Sequence, residues 1–426
     1  YVAQGYDYVP DQLLVKFKPG TRASEKAAIH KKMKGKKLRE SPYRAFTVVG
    51  LQKGTNVHAA AKAYGRYKKV VYAEPNYICR TAFVPNDPEY SNQWHLYNVA
   101  NKGLNVEAAW DITMGDPSVK VAVIDTGVAY ENYDEDRDGL YDYLLAPDLA
   151  GVNFWRGRDF YNGDKHANDD EGHGTHVTGT IAQTTNNALG CAGVAPNVTI
   201  IPIKVLGAFG FGTWEAVANG VYYAAYMEAD VASMSVGGYY DSQALRDACW
   251  FAYKRGVTLI AAAGNESSDE IIYPAGYDKS VIAVGATDYA NNLTLYSNYG
   301  YSQDYWYGDW WWTGQPYPWK GLDVVAPGGD TTADLNLDGN PDGVLQQTLD
   351  WGDPLTFVYE YWNGTSMASP HVAGVAALLV SLGVDDPDEI RAILEGTATD
   401  LGDPGYDIYT GWGLVNAEAA VLSVVA

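Results

Sequence analysis

The sequence predicts an α/β protein with a doubly wound parallel sheet covered by helices, preceded by a small α+β domain. From residue 83 onward, short continuous apolar runs rich in β-branched residues alternate with helix-length segments. That pattern is typical of strands buried on both faces of a parallel sheet. Before residue 83, shorter strand and helix patterns alternate between turn residues, as in a compact α+β unit.

The charge of the chain changes sign near the same point. Residues 1–82 contain 17 Lys and Arg against 5 Asp and Glu, whereas residues 83–426 contain 13 against 47. The basic residues are mixed with apolar ones, which favours a folded basic domain over a nucleic-acid-binding tail. No run of 18 apolar residues occurs, so we expect no membrane-spanning helix. We predict two domains, 1–82 and 83–426, and neither a nucleic acid nor a membrane as partner.

The first domain is predicted to run strand, helix, strand, helix, strand. Its first strand alternates apolar and polar residues and stops at Pro19-Gly20, a pair typical of turns. In order, the predicted elements are Leu13–Phe17, Ala23–Met33, Phe46–Val49, Val57–Tyr64 and Val70–Ala73.

The second domain is predicted to contain buried strands separated by helices. Two loop-like insertions interrupt this alternation: residues 300–320 are crowded with Tyr and Trp, and residues 328–363 are rich in Asp, Asn and Gly. The predicted strands are Val119–Ile124, Thr199–Val205, Val231–Val236, Thr258–Ala263, Val281–Val284 and Leu322–Val325. The predicted helices include Trp214–Met227, Leu245–Arg255 and Ser366–Leu382.

The cysteines do not form a disulfide framework. Cys79, Cys191 and Cys249 are few and far apart in the sequence, and at least one must be unpaired within the chain. Isolated buried thiols are the favoured interpretation, because free cysteine is among the most buried residue types.

Three short stretches carry residues suited to nucleophilic catalysis. Asp125 ends a predicted buried strand, His173 begins a predicted helix after a glycine, and Ser366 begins another helix. Functional side chains of parallel α/β sheets gather at the carboxyl ends of the strands. A serine hydroxyl needs a neighbouring base to take its proton, and the base needs an orienting carboxylate. These three residues are therefore the candidate catalytic residues.

The stretches 122–127, 172–177 and 364–370 together resemble the subtilase family of serine endopeptidases, in its thermitase-like branch. The resemblance implies a subtilisin-like fold in which Asp125 orients His173. It makes His173 the general base and then the general acid, and Ser366 the nucleophile. A fourth stretch, 261–265, resembles the segment that supplies an oxyanion-hole amide, so Asn265 is expected to stabilise the tetrahedral intermediate.

Other residues of these stretches are given different roles by the resemblance. His176 and Ser369 match family positions that are structural. Stretches 233–238 and 207–212 resemble the family's substrate-binding segment and edge strand, whose glycines allow a peptide to pair as an added strand. The implied substrate-binding residues are Gly210, Phe211, Gly212, Ser235, Val236, Gly237 and Ile272. Ile272 matches the floor of the primary specificity pocket, with an ordinary core position as the alternative.

The first domain resembles the subtilase propeptide, an intramolecular chaperone and inhibitor of ferredoxin-like fold. Its opening strand and the stretch 71–77 carry the resemblance. We expect autoprocessing between Ala82 and Phe83, because family propeptides end about five residues beyond that stretch, and mature thermitase-like enzymes begin with an aromatic residue shortly before a calcium-binding Asp. An unrelated basic accessory domain is the alternative.

The resemblance also implies calcium. One loop, residues 159–168, resembles a calcium loop of the thermitase-like branch. Its implied ligands are side-chain oxygens of Asp159, Asp164 and Asn168 and the carbonyl of His166. A second loop, residues 185–191, resembles the strong subtilase calcium loop, with acidic partners earlier in the chain. Its implied ligands are the Asn187 side chain and the carbonyls of Thr185, Leu189 and Cys191, together with the carboxylates of Asp87 and Asp148.

Two further acidic loops predict calcium without the family. Each places oxygen-bearing side chains at alternating positions before a glycine, as in Asp134, Asp136, Asp138 and in Asp334, Asn336, Asp338. Both lack the glutamate at the twelfth position of an EF-hand, which Asp142 and Asp342 at the ninth position could replace. A solvated acidic turn is the alternative.

These observations favour a secreted, calcium-stabilised serine endopeptidase in proenzyme form, acting on protein or peptide substrates. The alternatives are a pseudoprotease or binding protein, a structural calcium-binding surface protein, and an intracellular serine hydrolase. The intact set of Asp125, His173, Ser366 and Asn265 argues against the first.

Overall fold

The computed structural model describes residues 8–77, 83–97, 103–300, 321–351 and 353–425. The chain divides into two compact units, one of Tyr1–Thr81 with the last two residues and one of Ala82–Val424. Cys79, Ala82 and all but Gly300 of the predicted aromatic-rich insertion lie outside the described residues.

The first unit is a four-stranded antiparallel sheet with two helices. The strands lie in the order β2-β3-β1-β4, so the first strand is central and pairs with both β3 and β4. Its elements are β1 (Tyr8–Phe17), α1 (Ala23–Lys32), β2 (Lys36–Glu40), β3 (Thr47–Gly50), α2 (Val57–Gly65) and β4 (Val70–Tyr77). Every predicted element is confirmed, and β2 is additional.

One apolar cluster explains why the first unit folds as it does. Leu13, Val15 and Phe17 alternate along β1 and point to one face, as the two-residue period of a strand requires. They meet Ile29 of α1 and the apolar face of α2. The strand β2 was missed because its residues are mostly charged and exposed, so no apolar alternation marks it.

The second unit is built on a parallel sheet in the order β12-β11-β10-β9-β5-β8-β6, with β7 also paired to β8. The strands are β5 (Lys120–Asp125), β6 (Asn153–Phe154), β7 (Arg158–Asp159), β8 (Thr199–Lys204), β9 (Val231–Met234), β10 (Thr258–Ala262), β11 (Val281–Thr287) and β12 (Val324–Pro327). The helices are α3 (Val106–Trp110), α4 (His173–Ala182), α5 (Trp214–Tyr226), α6 (Gln243–Lys254), α7 (Thr365–Ser381), α8 (Pro387–Thr397) and α9 (Ala417–Val425). The predicted α/β class and its six strands are confirmed.

Alternate residues of β5 enter two separate cores. Val121 and Val123 belong to a cluster that includes α4 and α7, whereas Ala122 and Ile124 belong to a cluster that includes α5 and α6. Because both faces are buried, the strand has no polar face and its sequence is continuously apolar.

The predicted loop over residues 328–363 was wrong in its second half. Residues Val344–Asp350 (β13) and Asp353–Trp362 (β14) form an antiparallel hairpin that packs against α4. The strand β13 is buried in spite of its polar residues, because their side chains bond to neighbouring segments. Thr348 Oγ1, for example, donates to the carbonyl of Gly172 at 2.7 Å.

Cys191 and Cys249 are buried free thiols, as the sequence predicted. Burial raises the pKa of both, so neither is a ready nucleophile. None of the helices within the described residues is long and apolar enough to cross a membrane.

Candidate active site

The end of β5 and the start of α4 bring an aspartate and a histidine into contact. Asp125 is the last residue of β5 and is fully buried. Its Oδ1 lies 2.6 Å from His173 Nδ1 at the first turn of α4. The same oxygen accepts from the backbone N–H of Thr126 at 2.7 Å. This arrangement fixes the imidazole orientation and leaves Nε2 for a reacting group.

A second buried carboxylate holds these two segments together, and the sequence did not single it out. Asp169 Oδ1 accepts from Thr126 Oγ1 at 2.9 Å and from the N–H of Gly172 at 2.9 Å. Its Oδ2 accepts from the N–H and the hydroxyl of Thr175 at 2.9 and 2.6 Å. Asp169 therefore ties the strand that carries Asp125 to the helix that carries His173.

The charges around His173 favour its protonated form. Burial alone lowers the pKa of His173, but the Asp125 charge and hydrogen bond outweigh it, and Glu171 and Asp169 add to them, so the pKa rises to about 9. Glu171 Oε2 also accepts from the His173 N–H at 2.8 Å. These carboxylates stabilise the positive charge that His173 acquires when it acts as a general base.

The predicted nucleophile lies in the first turn of α7. The Ser366 hydroxyl donates to the carbonyl of Ser235 at 3.3 Å, and the Ser366 carbonyl accepts from Ser235 Oγ at 2.8 Å. Among the described residues, no hydrogen bond joins this hydroxyl to His173. Catalytic hydrogen bonds are often long before substrate binds.

Two N–H donors flank one point beside Gly364. A Cβ built on Gly364 would lie 3.6 Å from Ser366 N, 3.7 Å from Asn265 Nδ2 and 3.6 Å from Asn265 Oδ1. Asn265 Oδ1 accepts from both the N–H and the hydroxyl of Thr365, at 2.8 and 3.0 Å. These bonds engage the amide oxygen and fix which way the amide faces. The space suits a developing oxyanion, and the positive φ of +150° at Gly364 favours glycine there.

Comparison with known proteins agrees with this geometry. The model of the subtilase family matches residues 116–413, which include β5, α4 and α7. The chain belongs to the subtilase family. Residues 2–76 match the fervidolysin N-terminal prodomain. The subtilase is thus a serine endopeptidase with an N-terminal propeptide.

Characterised relatives support the same assignment. The subtilase is 36% identical over 414 residues to the thermophilic serine proteinase of Bacillus sp. (strain AK1), covering 97% of this chain and 88% of the relative. It is 36% identical over 341 residues to thermitase of Thermoactinomyces vulgaris, covering 80% of this chain and 99% of thermitase. A solved structure of a protease from Pseudoalteromonas arctica PAMC 21717 matches with a TM-score of 0.65 and 32% identity, covering 80% of this chain and 99% of that one.

The predicted specificity residue of the subtilase borders the segment after β9. A Cβ on Gly237 would collide with the Ile272 side chain, and Tyr273 and Gly238 exchange backbone hydrogen bonds at 2.9 and 3.0 Å. A cavity of about 200 Å³ opens beside them, lined by Tyr239, Tyr240, Asp241, Glu270, Ile271, Ile272 and Tyr273. Ile272 therefore fills space next to the segment of Ser235, Val236 and Gly237.

The predicted edge segment is a tight turn and not a strand. Leu206 and Gly212 bridge across it, and the Gly210 N–H bonds to the Gly207 carbonyl at 2.8 Å. Phe209 and Phe211 at its tip are 87% and 78% exposed. Gly210 to Gly212 thus offer exposed backbone, although no strand forms there.

The sequence also missed an aromatic neighbour of the histidine. The Trp362 ring stacks on His176 with centroids 4.8 Å apart and lies 6.2 Å from the His173 ring. No signal in the sequence pointed to it, because the hairpin that carries it was not predicted. His176 Nε2 donates to the Val344 carbonyl at 3.1 Å, and Ser369 Oγ bonds to Ser235 Oγ at 2.8 Å, as expected for structural residues.

The predicted strong calcium loop closes around two buried carboxylates. Asp87 accepts from the N–H groups of Asn186 and Asn187, and Asp148 accepts from the Asn187 side chain and the Cys191 N–H. Burial raises the pKa of both aspartates. In the described part of the chain, neither pairs with Lys, Arg or His. Two buried carboxylates beside one loop without a counter-charge fit a bound cation. The remaining predicted ligands, Thr185 and Leu189, lie on the same loop.

The second family-implied loop also gathers oxygens. Asp159 is 1% exposed, and its N–H bonds to the Asp164 carbonyl at 3.2 Å. Asn168 is 3% exposed, and within the described residues its Oδ1 has no hydrogen-bond partner. His166 Nδ1 lies 2.8 Å from Glu131 Oε1, a carboxylate that the sequence did not suggest. The orphaned Asn168 oxygen fits a calcium ligand.

The two remaining acidic loops lie elsewhere on the second unit. One ligand atom from each of Asp134, Asp136 and Asp138 lies within 4.8 Å of the others. In the second loop, Asp338 accepts from the N–H of Asn340 and Asp334 from the N–H of Gly339.

The predicted first residue of the mature enzyme is anchored in the second unit. The Phe83 ring packs edge-on against Trp110, with centroids 5.8 Å apart. Its N–H donates to Asp111 Oδ1 at 3.4 Å.

Proposed function

We propose that this subtilase is a secreted, calcium-stabilised endopeptidase that uses Asp125, His173 and Ser366 as its triad and matures by autoprocessing. The observation that carries the catalytic part is the 2.6 Å contact between Asp125 and His173 at the carboxyl end of the sheet. The start of α7 and Asn265 supply two N–H donors around one point.

The reaction proceeds in two halves. Ser366 Oγ turns from Ser235 toward His173 Nε2, gives up its proton and attacks the scissile carbonyl. The carbonyl oxygen becomes an oxyanion that accepts from Ser366 N–H and Asn265 Nδ2. His173 then gives its proton to the leaving amine, and an acyl-enzyme remains. Water deprotonated by His173 attacks the ester, and Ser366 leaves with the proton.

Asp125 acts throughout without taking the proton. Its carboxylate accepts from Nδ1, which keeps the reactive lone pair on Nε2 and stabilises the imidazolium. Glu171 and Asp169 strengthen that effect by adding negative charge near His173.

The test of the catalytic assignment is covalent labelling. The wild-type chain should react with a fluorophosphonate probe and clear casein on a plate, and Ser366→Ala should do neither while keeping its circular dichroism. Ser369→Ala, which changes a serine three residues further along the same helix, is the matched control and should still be labelled. Labelling that survives Ser366→Ala would remove the assignment.

The calcium assignment covers the loops around Asp148 and Asp159. A bound ion neutralises buried carboxylates that have no counter-charge in the described residues, and ligation of the native state alone stabilises it. Sites of this kind with modest affinity are filled at extracellular calcium concentrations, which accords with secretion. Detection of the enzyme in the culture medium and its absence from washed cells tests the location.

The maturation site is proposed between Ala82 and Phe83. The support is the match of residues 2–76 to a prodomain, the charge change near residue 82, and the anchoring of Phe83 against Trp110. Cleavage would create a terminal ammonium beside the Asp111 carboxylate, a favourable pair that the intact chain lacks.

Two measurements test this site. Amino-terminal sequencing of the mature enzyme should begin at Phe83, and a start more than three residues away would disprove the placement. Asp111→Asn should lower the melting temperature of the mature form more than that of an uncleaved Ser366→Ala chain. Released propeptide should bind the acidic enzyme more weakly as salt rises, because screening shortens the reach of the attraction to about 10 Å at 0.1 M.

A further inference from the structure

Two loops of the second unit that are far apart in the sequence share one pattern of residues. Residues 134–142 and 334–342 both place Asp at the first, fifth and ninth positions, an oxygen-bearing side chain at the third and Gly at the sixth. Both also carry Leu at the twelfth position, where an EF-hand has its bidentate Glu. The family-implied calcium loops include neither segment.

The two loops also fold alike at their glycines. The Gly139 N–H donates to Asp134 Oδ2 at 3.0 Å, and the Gly339 N–H donates to Asp334 Oδ2 at 3.2 Å. The seventh residue, Leu140 in the first loop and Asn340 in the second, forms the same hydrogen bond in both loops. Its N–H donates to the fifth-position Asp at 2.8 Å in the first loop and 2.7 Å in the second.

The backbone conformations match as well. The fourth position is left-handed in both loops, with φ of 63° at Arg137 and 60° at Leu337. The glycines at the sixth position have φ of 94° and 89°. Side chains rarely adopt this region, so two unrelated loops would not be expected to share it at the same positions.

The ninth-position aspartates point into their loops. Asp142 Oδ2 accepts from the Glu135 N–H at 2.7 Å, and Asp342 Oδ2 accepts from the Leu335 N–H at 2.5 Å. These N–H groups belong to the second position, so each carboxylate reaches back across its loop to the beginning.

Each loop leaves a buried carboxylate oxygen without a partner. Asp342 is 1% exposed, and within the described residues neither a donor nor a cation meets its Oδ1. The negative charges of Asp334 and Asp338 lie near it. In the first loop, Asp134 Oδ1 also has no partner among the described residues, and the Asp134 side chain is half-buried. A buried anion surrounded by other anions is costly unless a cation joins them.

We propose that each of these loops binds one calcium ion, with Asp142 and Asp342 replacing the missing twelfth-position glutamate. The ligands are the side-chain oxygens of the first, third, fifth and ninth positions and the carbonyls of Leu140 and Asn340 at the seventh. Each set supplies five oxygens, and water would complete the six to eight that calcium takes in flexible geometry, whereas magnesium demands a near-ideal octahedron and keeps several waters. These loops therefore suit calcium.

The two sites differ in what they support. The loop ending at Asp342 leads directly into β13, where the Gly343 carbonyl accepts from Trp94 Nε1 and the Val344 carbonyl from His176 Nε2. The loop ending at Asp142 is closed by a bridge between Tyr133 and Tyr143 and is largely exposed. Loss of the Asp342 site should therefore lower the melting temperature more than loss of the Asp142 site.

The test counts calcium ions on the full-length chain carrying Ser366→Ala, which prevents autolysis. Bound calcium is measured by equilibrium dialysis with elemental analysis, and affinity by calcium titration in a calorimeter. Terbium luminescence, excited through tyrosine, gives an independent signal for the first loop, which lies between Tyr133 and Tyr143, as the difference between the Ser366→Ala chains with and without Asp142→Asn. The variants are Asp142→Asn, Asp342→Asn and the pair together. Asp353→Asn is the matched control, because Asp353 is an acid at the start of β14 and lies outside both loops.

Each single variant should lose one bound calcium per chain and the double variant two, with Asp353→Asn unchanged. Asp338→Asn removes an exposed ligand and should lose the same ion as Asp342→Asn, which guards against a folding defect at the buried position. Full stoichiometry in both Asp342→Asn and Asp338→Asn would overturn the second site, and full stoichiometry in Asp142→Asn would overturn the first. Because the background is inactive, the outcome does not depend on the protease assignment.

Discussion

The pKa of His173 in the folded chain leads to a prediction about how stability and activity depend on pH. In the folded chain Asp125, Glu171 and Asp169 outweigh the effect of burial and raise the pKa of His173 to about 9. An unfolded histidine titrates near 6.5. At about 1.4 kcal/mol per pKa unit, this difference between the folded and unfolded pKa contributes about 3 kcal/mol to the free energy of unfolding when His173 is protonated.

The sign of the linkage follows from the direction of the shift. A folded-state pKa above the unfolded one means that the native state binds the proton more tightly. The stabilisation is complete below about pH 6.5 and is lost as pH rises toward 9. Activity should move the opposite way, because the general base must be neutral. The kcat/KM value should therefore rise with pH up to about 9.

The decisive variant is Asp125→Asn. It removes the charge that raises the pKa of His173 most and leaves burial to lower it, so the pKa of His173 should fall. Turnover should fall by about 10⁴, because an amide favours the wrong tautomer. Glu171→Gln should move the acid limb of kcat/KM to lower pH while leaving the 2.6 Å contact between Asp125 and His173 in place.

The assay is proton NMR of the histidine rings on the Ser366→Ala chain, alongside the pH profile of kcat/KM for the active enzyme. Burial lowers the pKa of His176 and of His371 to about 3, so their signals should not titrate above pH 5 and serve as internal references. A His173 signal that titrates at or below pH 6.5 in the Ser366→Ala chain, where Asp125 is intact, would refute the electrostatic argument.

Three further predictions follow from the site. Asn265→Ala should lower kcat by about 10²–10³ with little change in KM, because its bond forms mainly in the transition state; steady-state kinetics on a peptide anilide checks this, and near-normal turnover would contradict it. A strong chelator should lower the melting temperature of the Ser366→Ala chain in calorimetry, since a ligand at 100 times its Kd contributes about 2.7 kcal/mol; an unchanged curve would contradict calcium stabilisation. Ile272→Gly should clear space beside Gly237 and raise the preference for Phe over Ala before the cut by about 10–200-fold in a peptide library; a profile already dominated by Phe in the wild type would contradict the small pocket.

Much of the fold could be predicted because local chemistry marks it. The β5 run is continuously apolar since both its faces are buried, and the glycine before His173 marks where a helix begins. Asp125, His173 and Ser366 stand at the ends of such elements, so their sequence context indicated both the element and the chemistry. The charge change near residue 82 was equally visible without any structure.

Tertiary contacts decided the rest. Gln346, Gln347 and Thr348 have a polar sequence, yet they lie in a buried strand. They are buried because their side chains bond to distant groups, such as Gln346 Nε2 to the Ala192 carbonyl and the Gln347 amide oxygen to the Asp148 N–H. No periodicity reveals such partners. The same reason hid Trp362 and Asp169: their roles depend on which segments meet across the second unit, and that is a property of the folded chain alone.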